Sequence, residues 1–191
     1  MSADADALKL QRFEEQVLPH LDALYRAAVR LTGNGPDADD VVQETCLRAF
    51  RAFDQLRQPR EARAWVFAIL RSVFLRHAGR RPHPAAELSV GDLDGAALEH
   101  SLWDRDASPV QRALLQEVRR ATLSLPLPYR EALVLAHVGG FSYREMARIL
   151  EVPLGTVMSR LFRARRMLRA ALADPTRPPT PAEPTPAEPD R

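Results

Sequence analysis

The 191-residue chain is poor in cysteine, lysine, glycine and aromatic residues. It has one cysteine, Cys46, and one lysine, Lys9, with eight glycines and 6% aromatics. A single cysteine closes no intramolecular disulfide and lacks the partners of a cysteine-rich zinc site. A reducing, cytoplasmic setting is therefore expected. No apolar run approaches the roughly 18 residues of a membrane span. Met1 to Gln16 is polar and acidic, where a signal peptide needs a basic and then an apolar stretch. Neither secretion nor membrane insertion is expected. The sequence also lacks a phosphate-binding glycine loop, a Cys/His cluster at metal-ligand spacing, and a nucleophile with a nearby base. Its five histidines (His20, His77, His83, His100 and His137) are scattered. The expectation is no catalytic residue, no metal, no cofactor and no enzyme.

Positive charge is present, and it is unevenly placed. Arginine supplies 26 of the 27 Lys and Arg residues, while the net charge is only +2. From Ala62 to Ala86 there is no acid, and the stretch holds Arg63, Arg71, Arg76, Arg80 and Arg81. From Pro153 to Arg169 there is again no acid, with Arg160, Arg163, Arg165, Arg166 and Arg169. Between them, Pro84 to Ser108 carries six acids against Arg105, a net −5. Two basic surfaces joined by an acidic connector suit a chain that touches a polyanion at two places. Two solvated arginine faces and an ordinary loop would look the same. Asp174 to Arg191 holds seven of the 16 prolines and a doubled TPAEP, which reads as a disordered tail.

Helical periodicity recurs and strand alternation does not. One helix is expected over Phe13–Leu31, broken by Gly33-Asn34-Gly35-Pro36. A second starts among Asp37, Asp39 and Asp40 and reaches Phe53, burying Val42, Cys46, Ala49, Phe50 and Phe53. A third covers Ala62–Ala78, with Val66, Ile69, Leu70, Val73 and Phe74 inward. A second module follows from Pro109: Val110–Leu123, Tyr129–Val138, Tyr143–Leu150 and Leu154–Leu172. Ser142 and Glu145 form a capping-box pattern. The fold class is all-α, with two small helical domains joined by an acidic flexible linker. The domains are residues 10–83 and 109–173, the linker is 84–108 and the tail is 174–191.

A short helix, a tight turn and a longer Arg-rich helix make a helix-turn-helix. Val157, Leu161, Ala164 and Leu168 form the inward stripe of its last helix. Ser159, Phe162, Arg163 and Arg166 lie outward, where Arg can bridge guanine acceptors and an aromatic edge can meet a thymine methyl. Thr156 and Arg165 would contact phosphates. On the second helix Asp40, Gln43, Glu44, Leu47 and Arg51 share an outer face. An acidic stripe with one leucine suits protein docking, and a solvated face with capping acids fits equally. Trp65, beside the basic run, suits stacking on unpaired bases or plain core.

These residues resemble the sigma-70 family, in particular its small two-domain extracytoplasmic-function (ECF) sigma factors. Leu24–Leu56 and Ala62–Pro82 look like region 2, and Leu125–Arg169 looks like region 4. The carriers are DxxQE at Asp40–Glu44 and GTVMSRLxRAR at Gly155–Arg165. The resemblance implies a protein that docks on core RNA polymerase, at the clamp coiled coil of the largest subunit, through Asp40, Gln43, Glu44, Leu47 and Arg51. It implies reading and opening of the promoter −10 element by Trp65, Arg71, Ser72, Arg76, Arg80 and Arg81. It implies −35 reading by Tyr143, Arg144, Thr156, Met158, Ser159, Phe162, Arg163, Arg165 and Arg166. Its transcription would serve a stress-type regulon.

Two positions depart from the family pattern. Ser72 stands where an Asn commonly cradles a flipped −10 base, and Met158 stands where a basic residue often follows GTV. Met158 and Phe13–Ala28 also resemble the thiol-stress group, which implies an anti-sigma partner. Sensing would then reside in that partner, because a lone Cys46 on a helix core face is a poor redox switch. A stand-alone helix-turn-helix regulator and a pure interaction protein are the competing readings.

Overall fold

The structure is a computed structural model and describes residues 2–80 and 108–173. The expected linker, apart from Ser108, together with Arg81 and the Pro-rich tail lies outside the described residues. Eight α-helices account for most of what is described, and no strand occurs among these residues.

The first expected helix is in fact two. Helix α1 runs Ser2–Val17, a 3₁₀ turn covers Leu18–His20, and α2 runs Leu21–Thr32. Pro19 causes the break, since it has no N–H to donate into a continuing helix. Gly33 ends α2 at φ 88°, and its N–H donates to the Val29 carbonyl at 2.9 Å. That left-handed conformation favours glycine. Helix α3, Gly35–Arg51, starts earlier than the acids suggest because Asn34 is its cap, accepting from the Asp37 N–H at 2.8 Å. It also ends earlier, and Phe53 sits in a 3₁₀ turn. Helix α4 is Ala62–Arg80.

In this first module Val41, Val42, Ala49, Val66, Leu70, Val73 and Phe74 are buried as the periodicity requires. Cys46, Phe50 and Ile69 are only half-buried, packed on the edge of the core. Phe13 makes edge-on contacts to Phe50 at 5.3 Å and Phe53 at 5.5 Å. Lys9 ties α1 to the 3₁₀ turn after α3 through Asp54 at 2.6 Å and lies over the Phe50 ring.

The second module comprises α5 Pro109–Leu123, α6 Leu127–His137, α7 Tyr143–Leu150 and α8 Leu154–Ala173. Capping boxes open α5 (Ser108 with Gln111) and α7 (Ser142 with Glu145). Val157, Leu161, Ala164, Met167 and Ala171 bury one side of α8, with Leu168 half-buried beside them.

The two modules pack against each other. One apolar cluster runs from Leu24, Ala27 and Phe67 through to Val134, Leu135 and Phe141. Phe67 and Phe141 meet edge-on at 4.9 Å. Burying each such ring contributes about 2–3 kcal/mol. Gly33 also serves this seam: a Cβ there would stand 3.1 Å from the Leu123 side chain. Polar contacts then fix the register. Arg130, 3% exposed, donates to the Leu31 carbonyl at 3.0 Å, the Leu125 carbonyl at 3.1 Å and the Leu123 carbonyl. Arg119 donates to the Gly33 carbonyl, and Arg63 donates to the Gly139 carbonyl while lying over the Phe141 ring.

Candidate functional site

Three surfaces carry the sequence-predicted residues. The first is the outer face of α3. Asp40, Gln43, Leu47 and Arg51 are exposed, and Leu47 keeps 54% of its surface open to water. Spacings of three and four residues align them along the helix. Glu44 is half-buried and ion-pairs with Arg48, one turn on. The stripe is thus an exposed apolar residue among fixed charges.

The second surface is α4. Ser72 and Arg76 are exposed. Trp65 is half-buried, edge-on to Phe53 at 6.5 Å, so its indole belongs partly to the core. Arg71 does not project freely: its Nε donates to the Glu131 carboxylate of α6 at 2.8 Å. Arg80 is the last residue of α4, and its side chain, like Arg81, lies outside what is described.

The third surface is the helix-turn-helix. Glu151 ends α7 at φ 56°, which turns the chain sharply into α8. The buried Val157, Leu161 and Ala164 hold α8 against its neighbours and set the opposite side outward. That side shows Met158, Ser159, Phe162, Arg163, Arg165 and Arg166, all exposed, with Thr156 half-buried. Tyr143 and Arg144 are exposed at the start of α7. The Ser159 hydroxyl donates to the Thr156 carbonyl at 3.0 Å, leaving its oxygen free to accept from a base amine. Burial pushes the Cys46 thiol above its ordinary value, which disfavours the reactive thiolate. Among the described residues no Cys/His/Asp/Glu cluster could hold a metal, and no helix is long and apolar enough to cross a membrane.

The comparisons with known proteins fall on these same elements. Residues 17–82 match the family described as Sigma-70 region 2, and residues 115–168 match Sigma-70, region 4. The ECF RNA polymerase sigma factor EcfG of Rhodopseudomonas palustris is 37% identical over 160 residues, covering 83% of each chain. The chain belongs to the ECF RNA polymerase sigma factors of the sigma-70 family. The ECF sigma factor SigE of Mycolicibacterium smegmatis is also 37% identical, over 175 residues. That match covers 90% of this chain and 65% of the relative, so the chain spans just under two thirds of that protein. The fold agrees. The sigma factor RpoE, solved in complex with the anti-sigma factor NepR from Bartonella quintana, superposes with a TM-score of 0.65 at 27% identity. It covers 86% of this chain and 98% of its own. These relatives' names do not extend to a thiol-stress grouping, which stays an expectation of the sequence. A stand-alone regulator is not favoured, since both sigma regions match in one chain.

Sequence reasoning overlooked the seam of this sigma factor. Arg119, Arg130 and Glu131 were unremarked, and Arg63 was read only as part of a basic surface, yet Arg130 and Glu131 are both buried. One signal was available. An adjacent Arg-Glu pair interrupts an apolar helix in LPYREALVLA, and charges on a core-facing stretch need buried partners. Leu154, exposed at the start of α8, was also passed over.

Proposed function

We propose that this sigma factor docks on the clamp coiled coil of core RNA polymerase through α3. In this reading Leu47 fills an apolar notch while Asp40, Gln43, Glu44 and Arg51 fix the register. Helix α4 meets the −10 element with Trp65, Arg71, Ser72, Arg76 and Arg80, and Arg81 follows it in sequence. Helices α7 and α8 enter the −35 major groove, with Tyr143, Arg144, Thr156 and Arg165 on phosphates and Met158, Ser159, Phe162, Arg163 and Arg166 on bases. The acidic linker spans the polymerase between them. Strand opening needs no group transfer by the sigma factor. Each unpaired base stacked on protein gains about 1–3 kcal/mol, and that binding energy shifts the duplex equilibrium. Nucleotide addition belongs to the polymerase, and the setting is cytoplasmic. A small anti-sigma protein completes the proposal. Its support is the solved relative, a sigma factor held by one.

The observation that carries this reading is the coexistence, on one chain, of the exposed acid-and-leucine face of α3 and the exposed acid-free face of α8. The test is transcription by sigma-free core polymerase on fragmented genomic DNA with the purified chain added. Discrete start sites sharing two upstream elements are expected. Their absence, with specific duplex binding retained, defeats the docking assignment. Glu44→Arg sharpens the test. It should lower core affinity roughly tenfold or more, while −35 duplex binding is unchanged.

A further inference from the structure

Leu154, Met158 and Phe162 follow one another at four-residue spacing along the outward side of α8, with 42%, 53% and 70% of their surfaces exposed. Residues four apart sit one above the other on a helix, so the three form a continuous apolar ladder about 12 Å long. Three large apolar side chains in a row on a solvent-facing helix are unfavourable unless something covers them. What lies around the ladder limits what can cover it. Arg163, Arg165, Arg166 and Arg169 are exposed along the same helix, and α8 contains no acid. An apolar protein groove would have to leave these cations unpaired or bring its own acids. A nucleic-acid groove neutralises them with phosphate.

We infer that this ladder reads thymine. The inference rests on the −35 role proposed above for α8 and adds the chemical basis of its base preference. Among the base edges of the major groove, the C5-methyl of thymine is the apolar group. The groups that mark the other bases there are hydrogen-bond donors and acceptors. Successive rungs stand about 6 Å apart, roughly two base-pair steps of about 3.4 Å. A ladder of this length therefore addresses thymines spread over the element rather than one base. Met158 is the central rung. Its flexible thioether adapts to a methyl at variable depth, while it offers guanine no donor. The flanking Arg163 and Arg166 retain the capacity for guanine. The departure from a basic residue at position 158 thus exchanges a hydrogen-bond contact for an apolar one.

The experiment uses the full-length chain, alone and reconstituted with sigma-free core polymerase. The probe is a pool of duplexes with a randomised −35 region, copied once with dTTP and once with dUTP. Deoxyuridine pairs like thymidine and lacks only the methyl. In the dTTP pool, selected duplexes should share two or more thymines. Each contacted methyl removed should weaken binding about fourfold, the effect of about 0.8 kcal/mol per buried carbon. Met158→Gln should abolish the penalty at one thymine position and leave the others in place. Since position 158 is exposed, that variant should keep its helix content by circular dichroism. Equal binding of the two pools, or a penalty unaltered by Met158→Gln, overturns the inference while leaving −35 binding itself intact. Loss of all sequence-selective duplex binding overturns both readings. Protection of the ladder by core polymerase alone, with no dU penalty, assigns it to a protein contact instead.

Discussion

On α8 the outward arginines Arg163, Arg165 and Arg166 stand in solvent, whereas on α4 Arg63 and Arg71 are already engaged within the chain and Arg76 is exposed. Arg71 is paired with Glu131, Arg63 lies over Phe141 and donates to the Gly139 carbonyl, and Trp65 is half-buried against Phe53. The proposed −35 surface is presented ready-made. The proposed −10 surface shares Arg71 with the seam between the modules, so presenting Arg71 to DNA means breaking its pair with Glu131. Arginine suits both uses. Its planar fork satisfies carbonyls and carboxylates inside a protein and phosphates or guanines outside. Position relative to the seam decides which use a given arginine has.

The largest expected effect comes from removing the seam's anchor. Arg130 is buried with three carbonyl acceptors from Leu31, Leu123 and Leu125, and burial lowers its affinity for its proton. Among the described residues its Nε has no partner, so the site is held by the two terminal nitrogens. Arg130→Ala orphans three carbonyls and leaves a cavity, at a cost of about 3–5 kcal/mol. Urea unfolding followed by circular dichroism should show a much lower midpoint. An unchanged midpoint would mean the seam adds nothing to stability.

A more selective change separates the two surfaces. Glu131→Ala removes the acceptor of Arg71 and should weaken the seam by about 2–3 kcal/mol, since Glu131 is buried while Arg71 is about a fifth exposed. The freed Arg71 should raise affinity for a single-stranded −10 oligonucleotide. Affinity for −35 duplex should stay constant, and a parallel rise in both would show that the seam screens α8 as well. On the open surface, Arg163→Ala should cost about 1–3 kcal/mol of −35 binding and relax base preference. With Arg144, Arg165 and Arg169 on about three phosphates, the log–log salt slope should lie near about −3. A uniform loss across sequences, with the slope reduced by about one, would make Arg163 a phosphate contact.

The helices and the outward faces were legible in the sequence because both follow from local rules. The 3.6-residue spacing placed Val157, Leu161 and Ala164 inward, and the capping box at Ser142 and Glu145 formed as its residues require. Helix boundaries were missed for equally local reasons. Pro19 splits the first helix by lacking an N–H, and Asn34 outcompetes the acids as the cap of α3. The seam was not legible, because its contacts join residues far apart in the chain: Arg63 with Gly139, Arg71 with Glu131, and Arg130 with Leu31. Periodicity reports which side of a helix is apolar. It does not report which other helix covers that side, so Arg71 read as a nucleic-acid contact alone.

The smallest expected effect is a pH dependence confined to the engaged surface. His20 has its pKa lowered from 6.5, first by burial and then by the Arg63 guanidinium. Protonation is thus harder in the folded chain than in the unfolded one. As the pH falls through 6.5 the unfolded chain takes up its proton first, so the stability contributed by neutral His20 is complete above that value. It is lost as the pH drops toward the folded value. Glu145, lowered from 4.5 chiefly by its hydrogen bonds with Ser142, loses its contribution only in the more acidic carboxylate range, so the two windows are distinct. The urea midpoint should therefore be lower at about pH 5.5 than at about pH 7.5, and His20→Gln should remove most of that difference. Because Arg63 is engaged with Gly139 and Phe141 at the seam, −35 duplex affinity should stay level over the same interval. A midpoint shift that persists in His20→Gln would place the titrating group elsewhere. A matching change in duplex affinity would show that the two surfaces are coupled rather than independent.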